Sequence, residues 1–128
     1  QAGHVEREEW VLARDYRRRS GYEMMKTCYA RLGRYPQVLF CGAITLLEGV
    51  LEFINAQDRF RRAPERILSF DDHYLLDCLP VPVDSIAQDS HGLAAASLEQ
   101  LQRLMCGEDA VSGKIPAKIV WRSRRLSS

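Results

Sequence analysis

Apolar residues along the chain fall into two kinds of block, short unbroken runs and longer stretches at helical spacing. Trp10-Val11-Leu12-Ala13 is the first short run; it is too short for a helix and predicts a buried strand. In Ser20-Gly21-Tyr22-Glu23 a hydroxyl precedes a carboxylate by three residues, which predicts a capping box at the start of a helix. Tyr22, Met25, Tyr29 and Leu32 then share one helical face, and Gly33 with Tyr35-Pro36 marks its end. The unit repeats. Val38-Leu39-Phe40-Cys41 predicts a strand, Gly42 a turn, and Ile44, Leu47, Leu51 and Ile54 the inner face of a helix ending near Asn55. Arg66-Ile67-Leu68-Ser69-Phe70 is the third strand, and Tyr74 to Leu79 is ambiguous. Val83 to Gln88 alternates apolar and polar residues and predicts a half-exposed strand. Asp89 or Ser90 is placed to cap a helix with Leu93, Ser97, Leu101, Leu104 and Met105 on its inner face, and Ala117 to Trp121 reads as the last strand. Strand runs alternating with amphipathic helices imply an open, mostly parallel α/β sheet in three layers, with helices on both faces and right-handed crossovers.

Composition narrows this picture. At 128 residues the chain is the size of one domain, and 18 Lys+Arg against 17 Asp+Glu give a net charge of +1, which argues against a basic nucleic-acid module. No apolar run approaches the ~18 residues of a membrane-spanning helix, so no membrane partner is expected and a cytoplasmic location is. The first residue is Gln1 rather than Met, and the leader QAGHVEREE carries no apolar pattern, so a piece of a larger protein is expected. Cys28, Cys41, Cys78 and Cys106 form no CxxC pair, and His4, His73 and His91 share no metal spacing with them. Reduced, mostly buried thiols and no metal site or cofactor are the expectation.

In an open α/β sheet, ligands bind beyond the carboxyl ends of the strands. That rule selects Arg14, Asp15 and Tyr16 after the first strand, Cys41-Gly42-Ala43 after the second, Asp71, Asp72 and His73 after the third, and Gln88 with Asp89 after the fourth. Carboxylates and an amide exchange hydrogen bonds with hydroxyls, and an aromatic ring packs on a sugar's C–H face. Arg14 and Arg17 to Arg19 add a possible anion contact. The same aspartates are equally suited to capping turns and helices, and the arginines to forming a solvated face. A thiol at a helix N-terminus, as at Cys41, can have a lowered pKa.

Enzyme motifs are missing. There is no GxSxG, no GxxxxGK[ST] and no GxGxxG, and no arginine follows Cys41 to form an anion cradle. A small metal-dependent phosphatase-like enzyme, or a receiver-like signalling domain using Asp71 and Asp72, remains the alternative, although a receiver carries its acidic pair after the first strand.

The order of these residues resembles a known family. Asp15-Tyr16 followed by Ser20-Gly21-Tyr22 is similar to its D-[YWF]…SGY step, and Val38-Leu39-Phe40-Cys41 through Leu46-Leu47-Glu48-Gly49-Val50 to its second strand and helix. Ile67-Leu68-Ser69-Phe70-Asp71-Asp72 is similar to its [FY]DD strand and turn, and Val83 to Asp89 to its crossing strand ending in Gln. Leu93 to Met105, Gly107 and Ile119-Val120-Trp121-Arg122 resemble its last helix and closing R.S strand. The chain thus resembles the C-terminal effector-binding region of lactose-repressor/galactose-repressor type transcription regulators, and within them the fructose and sucrose operon repressors. The resemblance implies a periplasmic-binding-protein-like lobe and no enzymatic activity. It implies a sugar or sugar-phosphate effector held between two lobes, and a homodimer. Operator DNA would be bound only through an N-terminal headpiece which, like the N-terminal lobe, lies outside residues 1–128. Arg14, Asp15, Tyr16, Asp71, Asp72 and Gln88 would contact effector. One departure stands out: the family's Asn-Asp pair after the second strand is Ala43-Ile44 here. With no second lobe, the helix from Leu93 to Met105 is expected to fold back on its own lobe or to pair with another chain.

Overall fold

The computed structural model describes residues 7–126. A four-stranded sheet in the order β1-β2-β3-β4 forms its centre, with β1 at Val38–Cys41, β2 at Arg66–Phe70, β3 at Val83–Ala87 and β4 at Lys118–Val120. β1, β2 and β3 run parallel, and β4 returns antiparallel to β3. Three helices connect or precede them: α1 at Arg18–Leu32, α2 at Ile44–Asp58 and α3 at Ser90–Met105. The open, mostly parallel α/β arrangement is the one that the apolar pattern predicts.

Register sorts the strand residues onto two faces. Leu39 is paired with Ile67 and Ile67 with Val83, while Cys41 is paired with Ser69 and Ser69 with Ser85. These residues share the face covered by α1 and α2, where Met25, Leu47, Val50, Phe53 and Ile54 complete the core. The two helices approach closely because glycines stand at their crossing. A Cβ on Gly21 would sit 2.1 Å from the Leu46 carbonyl oxygen, and one on Gly49 would sit 1.9 Å from that of Arg18. Gly33 ends α1 in the left-handed region at φ 66°, as a C-cap glycine does. Val38, Phe40, Phe70 and Ile119 lie exposed on the outer face of the sheet, so the one helical layer formed by α1 and α2 packs on the inner face.

Four local expectations are corrected. Trp10-Val11-Leu12-Ala13 is not a strand: a 3-10 turn spans Glu8–Trp10, closed by the Trp10 N–H donating to the Arg7 carbonyl, and Trp10 and Val11 are exposed. A strand requires a neighbour, and this run finds none on the sheet. Ser20 is not an N-cap. The helix begins earlier, with Arg17 at the cap, and the Ser20 hydroxyl reaches back to the Asp15 carboxylate. β3 does not alternate, since Asp84 is as buried as Val83 and Ser85. The thiols are not mostly buried either, for Cys78 and Cys106 are exposed. α3 forms where expected, capped by Asp89, whose carboxylate accepts from the Gly92 N–H at 2.9 Å. It carries no buried residue and does not fold back on the sheet. His4 lies outside the described residues.

Candidate functional site

Because β1, β2 and β3 are parallel, their carboxyl ends open onto one rim. Asp71 follows β2 directly and Gln88 follows β3 directly. The Gln88 side-chain N–H donates to Asp71 Oδ1 at 2.9 Å, across 17 residues of sequence. Asp71 adopts φ 80°, in the left-handed region that few residues other than glycine visit. Strain of this kind is held in place by surrounding contacts and concentrates at functional sites. A hollow of about 260 Å³ opens here, lined by Asp71, Asp72, Ala87, Gln88 and Ser90. A larger hollow of about 470 Å³, between Arg18, Arg19, Tyr22, Glu23 and Glu52, lies on the outside of α1 and α2 and includes none of the six expected site residues.

The segment Arg14 to Tyr16 reaches the rim by another route. Thr45, in the first turn of the helix leaving β1, donates its hydroxyl to the Tyr16 carbonyl at 2.6 Å. The Tyr16 ring is exposed, as are Arg14 and Asp15. The Ser20 hydroxyl, joined by the Arg17 N–H and the charges of Arg17 and Arg14, holds the Asp15 carboxyl below its usual pKa against the opposing effect of desolvation. Ala43 stands at the N-cap of α2 without a side-chain hydrogen bond.

Asp72 points away from its neighbour, towards the sheet. Its Oδ1 accepts from the Ser85 hydroxyl at 2.6 Å and from Arg122 Nη2 at 3.0 Å. Partial burial pushes the Asp72 carboxyl up, but the Ser85 and Arg122 hydrogen bonds and the Arg122 charge outweigh it and leave its pKa below the usual carboxylate value. Ser85, Asp84 and Arg122 therefore belong to the site's frame, and reading the apolar pattern alone passes over them. Their signal was the pair of polar residues inside a strand run at Asp84-Ser85.

His73 Nδ1 is occupied in accepting the Leu75 N–H at 3.2 Å. Among the described residues no group of three or more His, Cys, Asp or Glu is arranged to hold a metal ion. Burial pushes the Cys41 thiol up to about 12, so it is not a thiolate near neutrality and the lowered value considered for it is corrected.

Comparison with known proteins decides the family. The sucrose operon repressor of Klebsiella pneumoniae is 43% identical over 108 residues, covering 84% of this chain and 32% of its own length. The chain belongs to the LacI/GalR-type regulators. It spans about a third of the length of that relative. A crystal structure of the Cra transcriptional dual regulator from Pseudomonas putida, in complex with fructose 1-phosphate, matches 86% of this chain and 41% of its own at a TM-score of 0.79 and 26% identity. A sugar-binding transcriptional regulator of the LacI family from Enterococcus faecalis shares the fold over 85% of this chain and 41% of its own, at a TM-score of 0.73 and 23% identity. No family model matches. These relatives are regulators, not enzymes, and this LacI/GalR-type region is read accordingly. No helix among the described residues is long and apolar enough to cross a membrane.

Proposed function

We propose that this region is the effector-sensing part of a sugar-responsive bacterial transcriptional repressor. It binds a sugar or sugar phosphate of the fructose or sucrose type and thereby changes the protein's grip on operator DNA. The observation that carries the reading is the Asp71–Gln88 pair, hydrogen-bonded at 2.9 Å on the wall of the rim hollow. An acceptor and a donor held at fixed separation suit two hydroxyls of one sugar ring, and the exposed Tyr16 ring suits its C–H face. Arg14, Asp15 and Asp72 complete the proposed contacts, with Arg14 the candidate for a phosphate.

A volume of about 260 Å³ is below the usual range for a complete small-molecule pocket, roughly 300–1,000 Å³. Half of a cleft between two lobes would look like this. We therefore assign residues 1–128 to the C-terminal lobe. A second lobe and a helix-turn-helix headpiece belong to the remainder of the protein, and the lobe's partners are a second copy of the protein and, through the headpiece, operator DNA. The test is a thermal-shift titration of the full-length protein with fructose 1-phosphate, fructose and sucrose. A rise in Tm with at least one of them, clearly reduced in Asp71→Asn, is expected. No shift with any of the three overturns the effector assignment.

A further inference from the structure

The most extensive polar network in the described residues lies behind the rim rather than on it. Arg122, two residues after the end of β4, is 6% exposed. Its Nη2 donates to Asp72 at 3.0 Å, Nη1 to the Ser85 hydroxyl at 2.8 Å and to the Val83 carbonyl at 3.3 Å, and Nε to Asp77 at 2.9 Å. The Ser85 hydroxyl in turn donates a hydrogen bond to Asp72 at 2.6 Å, which closes a triangle. The backbone is fixed as well: the Arg122 N–H donates to Asp84 at 2.7 Å, and the Ser123 N–H and hydroxyl donate to the same carboxylate at 2.9 and 2.7 Å.

This network touches the hollow only through Asp72. Asp71 and Asp72 are consecutive, and Ser85 and Gln88 are three residues apart on one strand and its exit. Two bridges therefore span the same gap between β2 and β3, one from Asp72 to Ser85 and one from Gln88 to Asp71. The first is part-buried and braced by the Arg122 guanidinium, the second is exposed, so the first sets the spacing at which the second forms. We propose that Arg122 is the positioning residue of the effector rim: by clamping Asp72 onto Ser85 it sets the separation of Asp71 and Gln88. The role asks for arginine in particular, because one planar fork must reach Asp72, Ser85 and Asp77 together, which the point charge of lysine does not do. The proposal rests on the effector reading above.

The test uses the full-length protein with two readouts. The first needs no ligand: the side-chain amide signals of Gln88 in a ¹H–¹⁵N spectrum, identified by their loss in Gln88→Glu. Arg122→Lys is expected to shift them and to speed their exchange with solvent several-fold. The second is calorimetric titration with fructose 1-phosphate and with sucrose. Arg122→Lys is expected to weaken whichever binds by about tenfold, yet by less than twofold in an Asp71→Asn background, because both changes disable one unit. Unchanged Gln88 signals, or losses that multiply in full, overturn the proposal. Should Arg122→Lys not fold, Ser85→Ala cuts the same link while keeping the charge, and the same Gln88 shift is required of it. If neither sugar binds wild-type protein, the effector reading fails, while the Gln88 signals still decide whether Arg122 sets the rim.

Discussion

Asp71 combines two demands that separate cleanly on mutation. Its φ of 80° favours glycine, and its carboxylate holds Gln88. Asp71→Gly relieves backbone strain of about 1 kcal/mol and gives up one exposed hydrogen bond of similar worth. Its Tm in the absence of sugar should therefore stay near wild type, while the sugar-induced rise in Tm disappears; melting curves with and without fructose 1-phosphate check both. Asp84 makes a different demand. Burial pushes its carboxyl up, but the Ser123 and Arg122 N–H groups and the Ser123 hydroxyl more than compensate, and its pKa ends below the usual value. Asp72 is depressed too. A group whose pKa falls on folding adds stability above its unfolded pKa and loses it as pH drops through the folded one. Stability carried by these two carboxylates should hold from about pH 5 upward and fall away below about pH 4. Asp84→Asn keeps an acceptor for the two N–H groups but loses the charge. It should lower the plateau by about 1–2 kcal/mol and flatten the acid limb in urea titrations across pH.

Elements were legible wherever a local pattern decides them. β2 spans Arg66–Phe70 as its apolar run predicts, Asp89 caps α3, and Gly33 ends α1. That Asp71 and Gln88 lie on one rim followed from strand ends alone. Where a partner decides, the pattern misled. Trp10 to Ala13 has the composition of a strand but no neighbour to pair with, and Val83 to Gln88 reads as a half-exposed strand although Asp84 and Ser85 are buried against Arg122 and Ser123. Arg122 finds Ser85 and Asp72 across 37 and 50 residues, a distance over which periodicity carries no information. The glycine crossing of α1 and α2 is of the same long-range kind, and it yields a prediction in which two effects oppose each other. Gly49→Ala gains about 1 kcal/mol of helix propensity. The new Cβ would meet the Arg18 carbonyl oxygen at 1.9 Å, and that atom is backbone, so the helices must part. Overpacking of this order costs about 1–3 kcal/mol, and after the propensity gain denaturant unfolding should show Gly49→Ala destabilised by up to about 2 kcal/mol.

At the scale of the molecule the two faces of the sheet are unequal. Leu39, Cys41, Ile67 and Val83 lie under α1 and α2, whereas Val38, Phe40 and Ile119 on the opposite face are 59%, 57% and 56% exposed. Leu98, Leu101, Leu104 and Met105 leave α3 in the same condition. Soluble chains seldom leave an apolar face of this kind open to water, and the Klebsiella repressor is about three times the length aligned to it, since the match covers 32% of that protein. If the remainder of the protein covers the outer face, one substitution must have different effects in two contexts. Val38→Thr with Phe40→Thr keeps two residues suited to a strand while removing apolar surface. In residues 1–128 alone both positions face water, so stability should change by less than about 0.5 kcal/mol and association, followed by sedimentation velocity, should decrease. In the full-length protein the same pair should cost about 3–6 kcal/mol, at roughly 1.5–3 kcal/mol for each large side chain withdrawn from burial. Equal effects in the two contexts would mean that the outer face is open in the whole protein as well, and the assignment of these residues to one lobe of a two-lobed repressor would have to be abandoned.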